Sequence, residues 1–152
     1  MRWMKKKGII MLESCFVLGM LGIGSIEDLK SRRLSVWMMC SFGIVGVILH
    51  LLLERGDIIS ILGGVRIGAA LVGISLLSRG RVGLGDGLAL MVTGIFLGFE
   101  KNLMLFMVSQ CLVACFALFL MVFCKKDRHC EIPYIPFLLV SYVSLLAFGG
   151  MT

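Results

Sequence analysis

Six long apolar stretches, separated by short charged connections, constrain this chain more than any other feature. They run over about residues 8–26, 36–53, 58–77, 88–99, 103–124 and 132–150. Bilayer hydrocarbon takes about 20 apolar residues per helix. Backbone polar groups in lipid must be satisfied within the segment, so each stretch reads as a helix. None shows the alternation of an outer-membrane strand. The fourth is short unless it begins nearer Leu84. The connections fall at 27–35, 54–57, 78–86, 100–102 and 125–131. With 59% hydrophobic and 16% charged residues in a chain of 152, the apolar excess does not fit inside a core of this size. A soluble enzyme and a disordered chain are excluded. The expectation is an all-α, polytopic membrane protein with about six transmembrane helices, in one membrane-embedded domain over residues 1–152.

The formal charge of +6 fits that frame. Its lysines and arginines lie mostly between apolar runs, where they fix orientation and meet anionic lipid. No basic folded module is left over as a nucleic-acid footprint. The odd-numbered connections carry Lys30, Arg32, Arg33, Arg79, Arg81, Lys125, Lys126 and Arg128, eight positive charges against Arg55 and Lys101 on the other side. That places the odd-numbered connections in the cytoplasm and the N-terminus outside. The tail residues Arg2, Lys5, Lys6 and Lys7 oppose this orientation without reversing it. The opening also imitates a signal peptide, but the run is long enough to span, so it reads as a retained first helix.

The cysteines are Cys15, Cys40, Cys111, Cys115, Cys124 and Cys130, and no two form a CxxC pair. A thiolate zinc site is therefore unsupported, and neither a metal nor a cofactor is expected. Cys111 and Cys115 share a helix face and read as small packing residues. His50 and His129 have no ligand partner at useful spacing. Glycines cluster inside the apolar runs, at 19, 22 and 24, at 63, 64 and 68, and at 94 and 98. Small residues let membrane helices approach closely. Packing within the bundle is their first use, and self-association of two copies the second.

Ionisable residues in or beside the spans are costly in lipid, which makes them functional candidates. They are Glu13, Asp28, Arg66 and Asp86. Glu13 and Arg66 could pair, or line an ion path in a non-enzymatic transporter or scaffold. Asp28 closes the first span and Asp86 opens the fourth, within Gly83-Leu84-Gly85-Asp86. Parity puts both at one membrane face, where they meet if helices one and four pack together. Gly83 and Gly85 would allow close backbone approach and unusual φ at the helix start. Two adjacent carboxylates share one proton, since both do not ionise readily. One then activates water while the other protonates a scissile carbonyl. On spacing alone, ordinary connection charges neutralised by Lys30, Arg32, Arg33, Arg79 and Arg81 fit as well.

Three motifs now carry a resemblance. Gly83-Leu84-Gly85-Asp86 resembles the GxGD signature of intramembrane aspartyl proteases. Asp28-Leu29-Lys30-Ser31-Arg32-Arg33-Leu34 resembles the first-aspartate motif of type IV prepilin peptidases, Asp-x-(Arg/Lys)-x-x-x-Ile-Pro-Asn. Pro133-Tyr134-Ile135-Pro136-Phe137 is similar to that family's Pro-Phe-x-Pro-Phe segment. Their order follows the family over nearly the whole chain. The resemblance implies an aspartyl endopeptidase of a prokaryotic plasma (inner) membrane, with Asp28 and Asp86 catalytic and prepilin-like proteins as substrates. It implies leader removal at the cytoplasmic face, in type IV pilus or secretion systems. Lys30, Arg32, Arg33, Pro133 and Pro136 would serve substrate contact or structure. Leu34-Ser35-Val36 departs from Ile-Pro-Asn, and Leu88 stands where a lysine often follows the second aspartate; these departures raise an inactive member as a further alternative. The paired-CxxC cytoplasmic segment of larger members is not seen, so the chain looks like the protease-only form, similar to Flp/Tad-type prepilin or preflagellin peptidases. Lys7-Gly8 with Glu13 looks like a prepilin cleavage site, but the later spans exclude a pilin.

Overall fold

The computed structural model describes residues 2–31, 34–52, 58–78, 83–123 and 133–149; of 2–7, 9 and 10 only the backbone is described. The described residues are helical: α1 (Arg2–Ser31), α2 (Val36–Leu52), α3 (Ile58–Leu77), α4 (Leu84–Phe123) and α5 (Ile135–Ala147). Two of them, α3 and α4, are long and apolar enough to cross a membrane by length and composition. The outside is strongly apolar, with Trp37, Ile59, Leu77 and Phe148 all standing exposed.

The helix count differs from the six stretches for a local reason. The connection expected at 100–102 is itself helical, and α4 runs through it. The break comes earlier, at Gly98, with φ 75° and ψ −175°. Only glycine adopts that combination readily. In an unbroken helix, residues 90 and 102 would lie about 18 Å apart. Instead the Asn102 side-chain amide donates to the Leu90 carbonyl oxygen at 3.0 Å. The chain therefore turns back at Gly98, and the two limbs of α4 run antiparallel. Asn102 also donates to the Gly64 carbonyl oxygen at 3.0 Å and accepts from the Thr93 hydroxyl at 2.8 Å. One buried amide thus ties both limbs to α3 with its polar atoms satisfied, the condition for polar groups away from water. Ser60 closes the turn by accepting the Phe99 N–H at 3.2 Å.

The first limb of α4 packs antiparallel on α3 through glycine. A Cβ on Gly64 would lie 2.6 Å from the Gly94 carbonyl oxygen, and one on Gly87 would lie 2.9 Å from the Val72 nitrogen. Gly68 is pressed against the Met91 nitrogen in the same way. Backbones this close exclude any side chain, so the expected packing use is seen at Gly64, Gly68 and Gly94, whereas a Cβ on Gly19 or Gly22 would meet nothing within 4 Å. Elsewhere larger side chains fill the core. Glu13, Val17, Met20, Leu21 and Asp28 form one buried stripe of α1, at the spacing of a single helix face. It meets Ile135, Leu138, Tyr142 and Leu145 of α5 and Met39 of α2 in the common core.

The remaining boundary differences are small. α1 continues to Ser31, which shortens the first connection and puts Asp28 inside a helix. α4 begins at Leu84, the earlier of the two starts expected. The connections at 54–57 and 125–131 lie outside the described residues. Cys111 and Cys115 stand exposed rather than packed, because they fall on the outer face of the second limb.

Candidate active site

Asp28 sits three residues from the C-terminal end of α1, only 9% exposed. Its Oδ2 accepts the backbone N–H of Ile135 at 3.1 Å, across 107 positions of sequence. Ile135 opens α5, whose own N-cap residue Tyr134 makes no side-chain cap. A helix start leaves N–H groups unpaired and favours negative charge. Asp28 thus caps α5 from another helix. Pro136 occupies the first turn of α5, where proline costs no hydrogen bond. The Pro133-to-Pro136 segment carries the Ile135 N–H that meets the Asp28 carboxylate.

Asp86 lies in the first turn of α4, where its N–H donates to the Gly83 carbonyl oxygen at 3.2 Å. Its carboxylate folds back over Gly83, where an added Cβ would come 2.7 Å from Oδ2. Gly83 itself is exposed. Asp28 and Asp86 come close enough for their charges to repel. Tyr134 stands beside them, near enough to Asp86 to feel its charge.

Of the two uses expected of the Gly83–Asp86 glycines, the close approach is seen and the unusual φ is not. Among the described residues positive φ occurs only at Gly98 and Gly149. Gly83 and Gly85 are required for space. A Cβ on Gly85 would meet the Leu34 side chain at 2.7 Å. Leu34 also reaches Gly24 on α1, 3.5 Å from where its Cβ would be. One leucine from the α1–α2 connection is wedged between the two aspartate-bearing helices. The connection is tethered by Glu27, whose Oε2 accepts the Ser35 N–H at 3.1 Å.

Sequence reasoning does not single out Glu27, Leu34, Tyr134 or Ser109, whose hydroxyl lies 2.7 Å from that of Tyr134. Leu34 and Tyr134 lie within the family-like motifs, which is their available signal; Glu27 and Ser109 give none. Lys30 is exposed near the end of α1, and Arg32 and Arg33 lie outside the described residues. Glu13 and Arg66 are not brought together: Glu13 is buried on α1, Arg66 is exposed on α3, and these two helices do not touch.

The family model described as the type IV leader peptidase family matches residues 15–149. The chain belongs to that family, whose members are membrane-bound peptidases acting on prepilin-like proteins. No curated protein and no solved structure matches it significantly.

Proposed function

We propose that this protein is an aspartyl endopeptidase of the prokaryotic plasma membrane, multi-pass, that removes the basic leader of prepilin-like substrates. Asp28 and Asp86 are its catalytic pair. The observation that carries the reading is their convergence: two carboxylates 58 positions apart, one buried and one half-buried, lie within range of each other's charge, and Leu34 packs against both helices that carry them. Family membership supplies the substrate class.

In this mechanism the two carboxylates share one proton. The ionised one takes a proton from water as the water attacks the scissile carbonyl carbon. The protonated one donates to the carbonyl oxygen, giving a neutral tetrahedral gem-diol. Collapse breaks the C–N bond, with one proton delivered to the leaving amine and the pair returned to its starting state. The peptide reaches the pair over the exposed Gly83. Ile135 N–H holds Asp28 throughout. The active end faces the cytoplasm, as the charge asymmetry of the connections directs, and Lys30, Arg32 and Arg33 mark that end of α1.

The test is co-expression with a prepilin encoded at the same locus, reading leader loss by gel shift. Wild type cleaves; folded Asp28→Asn and Asp86→Asn do not. No cleavage by the wild type would leave an inactive member, and cleavage by either variant would remove the dyad. Orientation has its own test in a background free of native cysteines. In intact cells Arg2→Cys is labelled by an impermeant thiol reagent and Ser31→Cys is shielded; the reverse pattern would turn the protein over.

A further inference from the structure

Glu27 is half-buried close to the C-terminal end of α1, where negative charge opposes the helix dipole. Its carboxylate is nevertheless engaged: Oε2 accepts the Ser35 N–H at 3.1 Å. Ser35 begins α2, since its carbonyl oxygen accepts the Met39 N–H at 3.2 Å, which makes it the N-cap. In a capping box, a Glu or Gln three residues later takes the N-cap N–H. That position is Met38, which has no such oxygen. Glu27 supplies it from another helix. The next residue, Asp28, does the same for Ile135 at the start of α5. Consecutive residues point about 100° apart around a helix, so the end of α1 holds two helix starts with two carboxylates.

The tether reaches the aspartates through Leu34. The peptide joining Leu34 to Ser35 is planar, so holding the Ser35 N–H also sets the Leu34 Cα. From there its two methyls diverge. Cδ2 lies 3.5 Å from where a Gly24 Cβ would be, and Cδ1 lies 2.7 Å from where a Gly85 Cβ would be. Gly24 is one turn before Asp28 on α1, and Gly85 directly precedes Asp86 on α4. Met39 converges on Gly24 as well, with Cε 3.5 Å from the same Cβ position. An apolar residue before the N-cap, paired with one at the fourth helical position, fixes how the chain enters a helix. Leu34 is placed by the start of α2, and Glu27 holds that start to α1.

We propose that Glu27 is a positioning residue for the aspartate pair: by holding the Ser35 N–H it keeps Leu34 between Gly24 and Gly85, and so sets how Asp86 stands relative to Asp28. The proposal rests on the aspartyl-peptidase reading and goes beyond it. It gives the neighbour of a catalytic aspartate a task of its own, separate from proton transfer.

The experiment measures kcat and KM for leader removal by wild type, Glu27→Ala, Glu27→Gln, Leu34→Ala and the double variant Glu27→Ala/Leu34→Ala. Each is purified in detergent and checked for folding. In Glu27→Ala kcat falls about tenfold while KM stays within about twofold, because the reacting groups are displaced and the contacts that bind the peptide are not. Glu27→Gln keeps an oxygen acceptor of the same reach and recovers most of the loss. Leu34→Ala removes the side chain that the tether places, so adding Glu27→Ala to it lowers kcat by less than about twofold more. A Glu27 that only stabilised α2 would lower the melting temperature, and its effect on kcat would be the same with or without Leu34. Multiplying losses, a Gln variant as slow as Ala, a loss carried by KM, or a Glu27→Ala of normal kcat would each overturn the proposal. All four leave the peptidase reading standing, since Asp28→Asn and Asp86→Asn test it separately. Absence of cleavage by wild type would end both. Should Glu27→Ala not fold, Glu27→Asp, whose carboxylate falls one methylene short of the Ser35 N–H, takes its place in the cycle. Multiplying losses overturn the proposal there too.

Discussion

The two ends of the first limb of α4 are built on opposite principles. Toward Gly98 the limb lies backbone against backbone on α3, through Gly64 and Gly94, and Asn102 bolts the returning limb to both. Toward Asp86 it meets α1 only sparsely, across a gap that one leucine fills. The first arrangement has no room for a side chain between the backbones, and its buried amide is fully paired. The second is held by a few side chains and one helix start. A peptidase working in a bundle needs both. Hydrolysis requires carboxylates fixed within a few tenths of an ångström, yet a peptide backbone must enter between them. In the proposed mechanism the backbone-to-backbone contacts lie away from the aspartates, which are held by side chains and one helix start.

The largest expected effect tests the loose end directly. Asp28→Asn or Asp86→Asn lowers the cleavage rate by about 10²–10⁴-fold, the range for losing one proton-transfer group. Asp57→Asn and Asp127→Asn, at positions outside the described residues and outside the motifs, cleave nearly as wild type. Rates are read on protein whose folding is confirmed separately, since Asp28→Asn also replaces the charged acceptor at the start of α5 by a neutral one. Equal losses in all four variants would end the distinction between the aspartate pair and the chain's other aspartates.

At the rigid end the effect falls on stability. Gly64→Val puts a branched side chain where the Gly94 carbonyl oxygen and the Gly98 backbone already stand. Neither atom can swing aside as a side-chain tip would. The cost is roughly 3 kcal/mol or more, seen as a lowered melting temperature in detergent. A normal melt with lost activity would make this interface part of the site. Gly98→Ala costs about 1–3 kcal/mol from its backbone conformation alone, and its Cβ would also stand 2.5 Å from the Ser60 hydroxyl oxygen. Adding Ser60→Gly relieves the contact and leaves the backbone cost. A double variant as stable as wild type would show that the reversal tolerates any residue.

How far the sequence can be read divides along the same line. Helicity and the apolar exterior are legible, because span length and composition are one-dimensional signals; parity and carboxylate placement point to Asp28 and Asp86 at one end, and the structure brings them within range of each other's charge. The reversal at Gly98 lies a few residues before the connection that the sequence suggests. The charged Glu100-Lys101 pair looks like a connection, whereas the backbone turns where glycine permits it and keeps those residues helical. Glycine at 83 and 85 does signal a need for closeness, but not the unusual φ expected of it. The reason lies in what each touches, Asp86 and Leu34, and contact is not written in sequence. Asn102 and Ser109 are invisible for the same reason: an isolated polar residue in an apolar run carries no address for its partner.

The smallest expected effect is also the most discriminating, because it asks what Leu34 does between the aspartate helices. Gly85→Val adds three carbons where the Leu34 Cδ1 would lie 2.7 Å from the new Cβ and Leu34 Cβ 3.1 Å from it. Leu34 must then leave its place between Gly24 and Gly85, carrying the Glu27–Ser35 tether with it. Asp86 shifts relative to Asp28, and cleavage falls about tenfold, equivalent to roughly 1.4 kcal/mol of barrier. Leu34→Ala removes three carbons from the same spot. Combined with Gly85→Val it conserves volume, the kind of exchange cores tolerate best. The pair is therefore expected to recover most of the rate that Gly85→Val loses, a coupling that a double-mutant cycle measures. If the two losses simply add, Leu34 is not the wedge, and the open end of α4 is held by something other than the α1–α2 connection. If they cancel, the gap between the two aspartate helices is set by side-chain volume alone.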